Sequence, residues 1–493
     1  MRDYIKNIKL KYEFVFVCLI SFCLWSALGT KIQLTDSNII KILIKDSFNN
    51  LRFFLPFCIL IFFLYEKNKN NFSYKYLNLI ILSIFFSYLI GYINFYLVNT
   101  DYVERFLLDK SLINTGYLPN KLRDLFLCLY FLITFLILSK LNFNQIKFLN
   151  ICNFCLIILI SSITLYFSYY EYLTTNKAFL YYTTYLVDGE IFGVATLRSL
   201  GLARNLLIIS IPLILFNLFY NNNKNLKYLI NFLIIISLTN LFQTQSRLSI
   251  FSCYIFISVI FFINFKNKNY KNILTIFFVT LLIPHLISYG IPKIKSIYLN
   301  NNINIQSRIF STNPNNLDNI IEVYKKKSET DISMPDSNSA KPLIESDMDV
   351  SIDVYSSGRY YLWKKAIHIF LNEKDFKLRY LGFGPLSDRY FLKENISNAI
   401  MYVFFSGGIL GGLGIILLYL ITLGHLIKFI FRNKSIKKDL IGNSIIFIIL
   451  FIFFRSFVEN SFVIYGTDHI IFISSLLYLI NKNQQFDAKS QHS

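Results

Sequence analysis

Apolar positions along this chain come in long blocks separated by short polar segments. The blocks cover 13–29, 51–65, 76–98, 122–139, 148–168, 203–220, 228–242, 248–265, 273–291, 399–423, 440–454 and 468–480. Most are close to the length an α-helix needs to cross the hydrocarbon core of a bilayer, and soluble domains do not repeat such runs. The pattern predicts an all-α polytopic membrane protein with about twelve transmembrane helices. The blocks near 51 and 468 are short and suit tilted or partly buried helices.

Residues 292–397 form the one long interruption. The expected organisation is a bundle at 1–291 carrying spans one to nine, a long loop at 292–397, spans ten to twelve at 398–480, and a basic, polar tail at 481–493 that is expected to be disordered. Inside the first part of the loop, 292–355, the stretch from Asn300 to Asp353 is rich in Asn, Ser and Asp. That composition buries too little apolar surface to offset chain entropy and predicts mobility. Residues 356–397 are expected to be ordered, with short amphipathic helices. Ser356 or Ser357 can cap a helix running to Leu371, with Leu362, Ala366, Ile369 and Phe370 on one face. Gly382-Phe383-Gly384-Pro385 fits neither regular helix nor strand. The span that starts near Asn398 is punctuated by glycines from Gly407 to Gly414.

Composition sharpens this picture. The 493 residues are 54% hydrophobic, mean hydropathy is +0.48 and net charge is +20. In a soluble chain such charge would point to nucleic acid. Here most of it lies in short loops, where positive-inside topology and anionic headgroups account for it, so no nucleic-acid partner is expected. With the N-terminus in the cytoplasm, Lys67, Lys69, Lys75, Lys140, Lys147, Lys224, Lys227, Lys266, Lys268, Lys271, Lys428, Arg432, Lys434, Lys437 and Lys438 all lie inside. Both termini are then cytoplasmic and the long loop is outside. The basic segment 1–11 and the first apolar run read as an anchor, not a cleavable signal. All seven cysteines fall in apolar spans, and the Cys152–Cys155 spacing is read as packing. The five histidines show no metal-ligand spacing and there is no Gly-rich phosphate loop, so neither metal nor cofactor is expected.

The outer loops nonetheless hold selected arginines. Arg198 and Arg204 flank the mouth of the sixth span. Arg247 follows Gln245 and Ser246 in the tight turn between spans seven and eight. Arg359 stands near Trp363 in the long loop, and Arg455 ends span eleven, with Glu459 and Asn460 beyond it. An ionised side chain costs about 2.5–3.5 kcal/mol at a helix centre, less near the interface. Snorkelling serves as a plain explanation for Arg198, Arg204 and Arg247, a surface charge for Arg359, and an i,i+4 helical ion pair for Arg455 with Glu459. The sharper reading is that several converge on one anion. A guanidinium is a planar fork that fits phosphate bidentately. Several aimed at one place would hold a pyrophosphate and stabilise the charge that develops as it leaves. A bilayer protein with an outward-facing anion site suits a lipid-linked pyrophosphate.

Arg198-x-x-Gly201, Ser246-Arg247, Arg359-Tyr360-Tyr361-Leu362-Trp363, Gly382-Phe383-Gly384, and Asn398 followed by Gly407-Gly408-Ile409-Leu410-Gly411 stand in this order over residues 190–470. In that order and spacing the chain resembles the O-antigen ligase and O-antigen polymerase superfamily. The resemblance implies a metal-independent GT-C-type glycosyltransferase of the bacterial inner membrane, using undecaprenyl-pyrophosphate-linked sugars on the periplasmic side. It implies Arg247 and Arg359 as the catalytic, pyrophosphate-holding residues, with Arg198 less firmly matched. Arg204, Asn398, Arg455 and Glu459 are the further candidates for substrate binding. Ligases of the superfamily carry a His directly before the Asn at the loop–span junction, read as the acceptor-activating base. Here that position is Ser397, whose hydroxyl cannot accept a proton at neutral pH as an imidazole can.

The expected activity is therefore a polysaccharide polymerase of lipopolysaccharide biosynthesis. It would transfer a growing glycan from its lipid pyrophosphate onto a lipid-linked repeat unit, with membrane lipid and a chain-length regulator protein as partners. Glu459, Glu394 and Asp388 are the candidate bases. The alternatives are a ligase that moves the glycan to lipid A-core or to protein, and a lipid-linked glycan flippase. Flippases tend to show internal repeats and mid-membrane charges, and neither is evident in this sequence.

Overall fold

The computed structural model describes residues 14–25, 54, 56–59, 61, 74–98, 100–108, 119–174, 199–219, 223–266, 270–299, 359–372, 380–393, 395–432, 439–459 and 462–491. The helices are α1 (Phe14–Trp25), α2 (Lys75–Ile93), α3 (Thr100–Leu108), α4 (Lys121–Ser139), α5 (Phe143–Thr174), α6 (Ser199–Phe219), α7 (Lys224–Gln243) and α8 (Arg247–Lys266). They continue as α9 (Tyr270–Ile276), α10 (Ile283–Leu299), α11 (Arg359–Asn372), α12 (Ser387–Phe391), α13 (Ala399–Arg432), α14 (Leu440–Ser456) and α15 (Thr467–Gln491). Short π-helical stretches extend α2 through Asn94–Val98 and join α9 to α10 through Phe277–Leu282. No strand occurs among the described residues.

Among the described residues, eight helical stretches are long and apolar enough to cross a membrane: Lys75–Val98, Lys121–Ser139, Phe143–Tyr166, Gly201–Phe219, Lys224–Gln243, Arg247–Phe265, Asn272–Ile297 and Ala399–Arg432. Phe14–Trp25 and Leu440–Ser456 are shorter apolar helices. The chain is an all-α, multi-pass membrane protein. Its outer faces agree: Leu79, Phe86, Phe232, Phe262, Leu420 and Phe431 are large, apolar and exposed, as a lipid solvent permits.

Successive helices run antiparallel, so their ends sort into two groups. One end of the bundle carries the starts of α4, α6, α8, α13 and α15 and the ends of α2, α7, α10 and α14. The segment before α13 docks there. Lys140, Lys224, Lys227, Lys266, Lys428 and Arg432 mark the opposite end.

The most extensive helix–helix seam joins α2 and α13. Ser83, Ser87 and Gly91 on α2 face Gly407, Gly411 and Gly414 on α13. A Cβ at Gly407 would sit 2.5 Å from Ser87 Oγ. Hydrocarbon gives two apolar helices no hydrophobic reason to associate, so close backbone approach through small residues supplies the attraction.

Gly408 breaks α13, with φ 63 and ψ −160. The break frees carbonyls at membrane depth, and these cannot be left unpaired. Phe383 N–H donates to the Phe405 carbonyl at 3.0 Å and Gly384 N–H to the Ser406 carbonyl at 2.8 Å. The loop predicted from Gly382-Phe383-Gly384-Pro385 thus completes the hydrogen bonding of the broken helix. Only glycine fits the crossing: Gly382 has φ 79, and a Cβ on it would fall 2.5 Å from the Ser406 carbonyl oxygen. Phe383, Tyr390, Phe391, Ile396 and Phe405 form a second core under this loop, joined by Leu362 and Ala366 of α11. Ile369 and Phe370 pack against it, so the apolar face predicted for that helix is the buried one.

A polar network fastens the loop to the bundle. Asp124, near the start of α4, is fully buried. It accepts hydrogen bonds from Tyr96 at 2.6 Å and from Tyr390 at 2.5 Å, and Arg123 Nε stands 3.0 Å from its other oxygen. Arg123 Nη2 also donates to Tyr390 Oη at 2.7 Å. A buried carboxylate with this many partners is stable where an isolated one is not.

Three sequence expectations are corrected. The bundle does not stop at 291, because α10 continues to Leu299 with Pro292 inside it. The tail after Asn481 is helical to Gln491 and not disordered. Its polar residues are held by other helices: Tyr74 donates to Asn481 at 2.5 Å, Asn483 donates to the His425 carbonyl at 2.8 Å, and Lys428 meets Asp487 at 2.7 Å. The span predicted to end at 423 runs to Arg432. The expected mobility of 300–355 and the capping serines Ser356 and Ser357 lie outside the described residues.

Candidate functional site

The cationic cluster is assembled at the loop end of the bundle. α6 contributes Arg204 one turn from its start, and α14 contributes Arg455 in its last turn. Both are buried, at 6% and 5% exposure. Between them stands Asp468, from the first turn of α15 and fully buried. Arg204 Nη1 lies 3.1 Å from Asp468 Oδ1, and Arg455 Nε lies 3.3 Å from Asp468 Oδ2. Arg204 Nε donates to Asn205 Oδ1 at 3.0 Å.

The turn between α14 and α15 is what brings Asp468 back to Arg455. His469 Nδ1 donates to the Phe462 carbonyl at 2.9 Å, and the Ile470 N–H donates to the Gly466 carbonyl at 3.1 Å. An aspartate at the first turn also complements the positive end of the α15 dipole.

Arg359 opens α11 and reaches the same turn. Its Nη2 lies 3.6 Å from Glu459 Oε1, with side-chain exposures of 27% and 16%. α11 is anchored there by Trp363, whose indole N–H donates to the Ile396 carbonyl at 2.8 Å. The two ion-pair groups lie at the same end of the bundle, both drawn together by the turn that follows α14. Among the described residues, three guanidiniums and two carboxylates make these ion pairs. The Arg359–Glu459 pair is more exposed than the Arg204, Arg455 and Asp468 side chains.

The helical Arg455–Glu459 pair considered from spacing does not describe this arrangement. α14 ends at Ser456, so Glu459 lies beyond its face and pairs with Arg359, while Arg455 pairs with Asp468. Asn398 is engaged with protein at both ends of its amide. Nδ2 donates to the Phe457 carbonyl at 3.0 Å, and Oδ1 caps α13 by accepting from Met401 N–H at 3.0 Å. It thereby holds the chain between Arg455 and Glu459 in place. Ser397 adopts a left-handed backbone, φ 52, and its hydroxyl donates to the Asn395 carbonyl at 3.2 Å.

Arg247 is exposed at the head of α8, at the same end of the bundle as Arg204, because α6 and α7 form a hairpin that returns the chain there. The Gln245 turn before it is tight, with φ 53, and Gln245 Nε2 donates to the Phe242 carbonyl at 3.1 Å. The ion pairs that gather Arg204, Arg455 and Arg359 are made by Asp468 and Glu459 and do not pass through Arg247. Arg198 and Glu394 lie outside the described residues. Asp388 is fully buried, and its Oδ2 accepts from Ile396 N–H at 3.1 Å. Burial pushes its carboxyl up to about 6.

Asp468 is the residue that sequence reasoning missed. Its signal was present as a lone acidic residue at the head of an apolar span, shortly after an arginine that ends the previous one. No cluster of His, Cys, Asp or Glu able to hold a metal occurs among the described residues. Comparison with protein-family models, with curated proteins and with solved structures gives no match.

Proposed function

We propose that this protein is a polysaccharide polymerase of the bacterial inner membrane. It crosses the bilayer about twelve times with both termini in the cytoplasm and the segment before α13 on the periplasmic side. The reaction transfers a growing glycan from undecaprenyl pyrophosphate onto a lipid-linked repeat unit. The observation that carries the reading is the convergence of Arg204, Arg455 and Arg359 from three distant parts of the chain on one end of the bundle.

In this mechanism a hydroxyl of the acceptor unit attacks the anomeric carbon of the donor. The bond from that carbon to the pyrophosphate oxygen breaks, and its electron pair leaves with the pyrophosphate. Arg359 exchanges its Glu459 contact for the diphosphate, with Arg247 at the same end of the bundle as a second donor. Arg204 and Arg455, held by Asp468, supply a fixed positive field behind them. Preorganised charge of this kind stabilises the leaving group without reorganisation. Glu459 then takes the hydroxyl proton. It borders the cluster, whereas Asp388 is sealed in the second core. Asn398 is a positioning residue for the Glu459 turn.

The test is the glycan profile of a deletion strain carrying wild type, Arg359→Ala or Arg247→Ala, with protein level in the membrane checked for each. A polymerase gives long chains with wild type and single-unit products with the variants. Retained long chains in both variants reject the reading. Accumulated lipid-linked polymer in the deletion strain points to the ligase reading. Repeat units that never reach the periplasm point to a flippase.

A further inference from the structure

At the end of the bundle away from the arginines, α2, α13 and α15 enclose a groove of about 820 Å³. This volume is in the range of ligand-binding clefts. Its wall has a direction. Leu77, Ile80, Leu417 and Ile421 give it apolar walls, and Lys75, His425, Lys428 and Gln484 line it towards the helix ends. Leu417, Ile421, Gly424 and Lys428 follow one face of α13 by helical spacing, so the change from apolar to cationic follows the helix axis outward. The groove opens sideways past Tyr76 and Leu79, which are 77% and 71% exposed. Its wall has a gap at Gly424, where an added Cβ would meet no atom within 4 Å.

Among the described residues, basic side chains outnumber acidic ones around the rim. Lys428 and Arg432 both contact Asp487, and Lys482 pairs with Asp439. Two basic residues thus share one carboxylate, and Lys75 adds a further exposed positive charge on α2. An apolar trough that opens towards lipid and ends in basic side chains is complementary to an amphiphile with an anionic head.

We propose that this groove is a binding site for an anionic glycerophospholipid, with an acyl chain along Ile80, Leu417 and Ile421 and the phosphate between Lys75 and Lys428. The lipid bridges α2 and α13, the two helices that also carry the loop at the other end. This site is independent of the arginine cluster and of the reaction assigned to it.

The test uses the full chain, purified in detergent, stripped of lipid, and melted with added dioleoylphosphatidylglycerol, dioleoylphosphatidylcholine or a polyprenyl phosphate. Phosphatidylglycerol is expected to raise the melting temperature, and phosphatidylcholine at the same concentration is not. Lys75→Gln weakens phosphatidylglycerol binding about fivefold, the loss of one basic side chain near a headgroup. Gly424→Leu fills the trough and abolishes the shift. Both variants melt as wild type without lipid, since Lys75 is exposed and Gly424 faces open space. Equal shifts with the two phospholipids, or an undiminished phosphatidylglycerol shift in both variants, overturn the proposal. A larger shift with the polyprenyl phosphate than with phosphatidylglycerol overturns the choice of occupant.

Discussion

Arg204 on α6 and Asp468 on α15 lie 3.1 Å apart with both side chains almost wholly buried. Asp468 serves Arg455 as well, at 3.3 Å. One carboxylate thus serves two buried guanidiniums at the mouth of the bundle. Removing it takes an ion pair from each. Asp468→Ala is expected to cost about 3–5 kcal/mol, the range for breaking a buried ion pair. Thermal melting in detergent measures this, and an unchanged midpoint contradicts the pairing.

Gly408 and Gly382 are two of the three described glycines with positive φ, and in both the backbone crowds the place of a Cβ. Both hold positive φ, and a Cβ on Gly408 would fall on the Tyr380 carbonyl. Gly408→Ala therefore combines left-handed strain of about 1–3 kcal/mol with overpacking of similar size. The expected result is release of the loop from α13 while the bundle persists. Limited proteolysis reads this as faster cleavage between α12 and α13 in the variant than in wild type. Equal cleavage rates speak against the docking.

Asp388 gives a pH dependence. Its folded-state carboxyl titrates at about 6 because burial disfavours the charged form, above the usual value of about 3.9 for an unfolded chain. Between these values the native state binds more protons than the unfolded state, so this group's contribution to stability falls as pH rises from 4 through 6. The total penalty is at most about 3 kcal/mol above pH 6. Asp388→Asn keeps an acceptor for Ile396 N–H and removes the charge. It is expected to melt higher than wild type at pH 7.5, with the gap closing towards pH 4. A gap that does not change with pH assigns the titration elsewhere.

Cys18 on α1 and Cys152 on α5 approach to 3.6 Å between sulfurs. Their helices are held together by Ser21 and Trp25, which both donate to Asn153 Oδ1 at 2.9 and 3.0 Å. Mild oxidation of the folded protein is expected to cross-link Cys18 to Cys152 and to leave Cys155, exposed on α5, out of the product. Peptide mass spectrometry distinguishes the two, and a Cys18–Cys155 link would contradict this α1–α5 contact.

Eight of the expected spans were legible because hydrocarbon imposes length and polarity on each helix separately. Gly382 to Pro385 were legible as a break, since their backbone preferences are local. What the break is for was not: the pairing of Phe383 and Gly384 with carbonyls freed at Gly408 joins residues far apart in sequence. The arginines were visible as costs, and three of them form ion pairs at one end of the bundle. Their carboxylate partners were misread, because Glu459 was placed on a helix that ends at Ser456 and Asp468 was passed over. The order of 481–491 was hidden for the same reason. Its polar residues contact α2 and α13, and no pattern within the segment reveals that.

The central claim is that guanidiniums from distant segments hold a diphosphate at the loop end of the bundle. The most direct measurement is binding of undecaprenyl pyrophosphate to the full chain in nanodiscs, compared between wild type and Arg359→Ala, with undecaprenol as the uncharged control. The account requires tight binding of the diphosphate by wild type, at least tenfold weaker binding by the variant, and no discrimination between them with undecaprenol. Equal affinity of wild type and variant for the diphosphate, with both proteins folded, would contradict it.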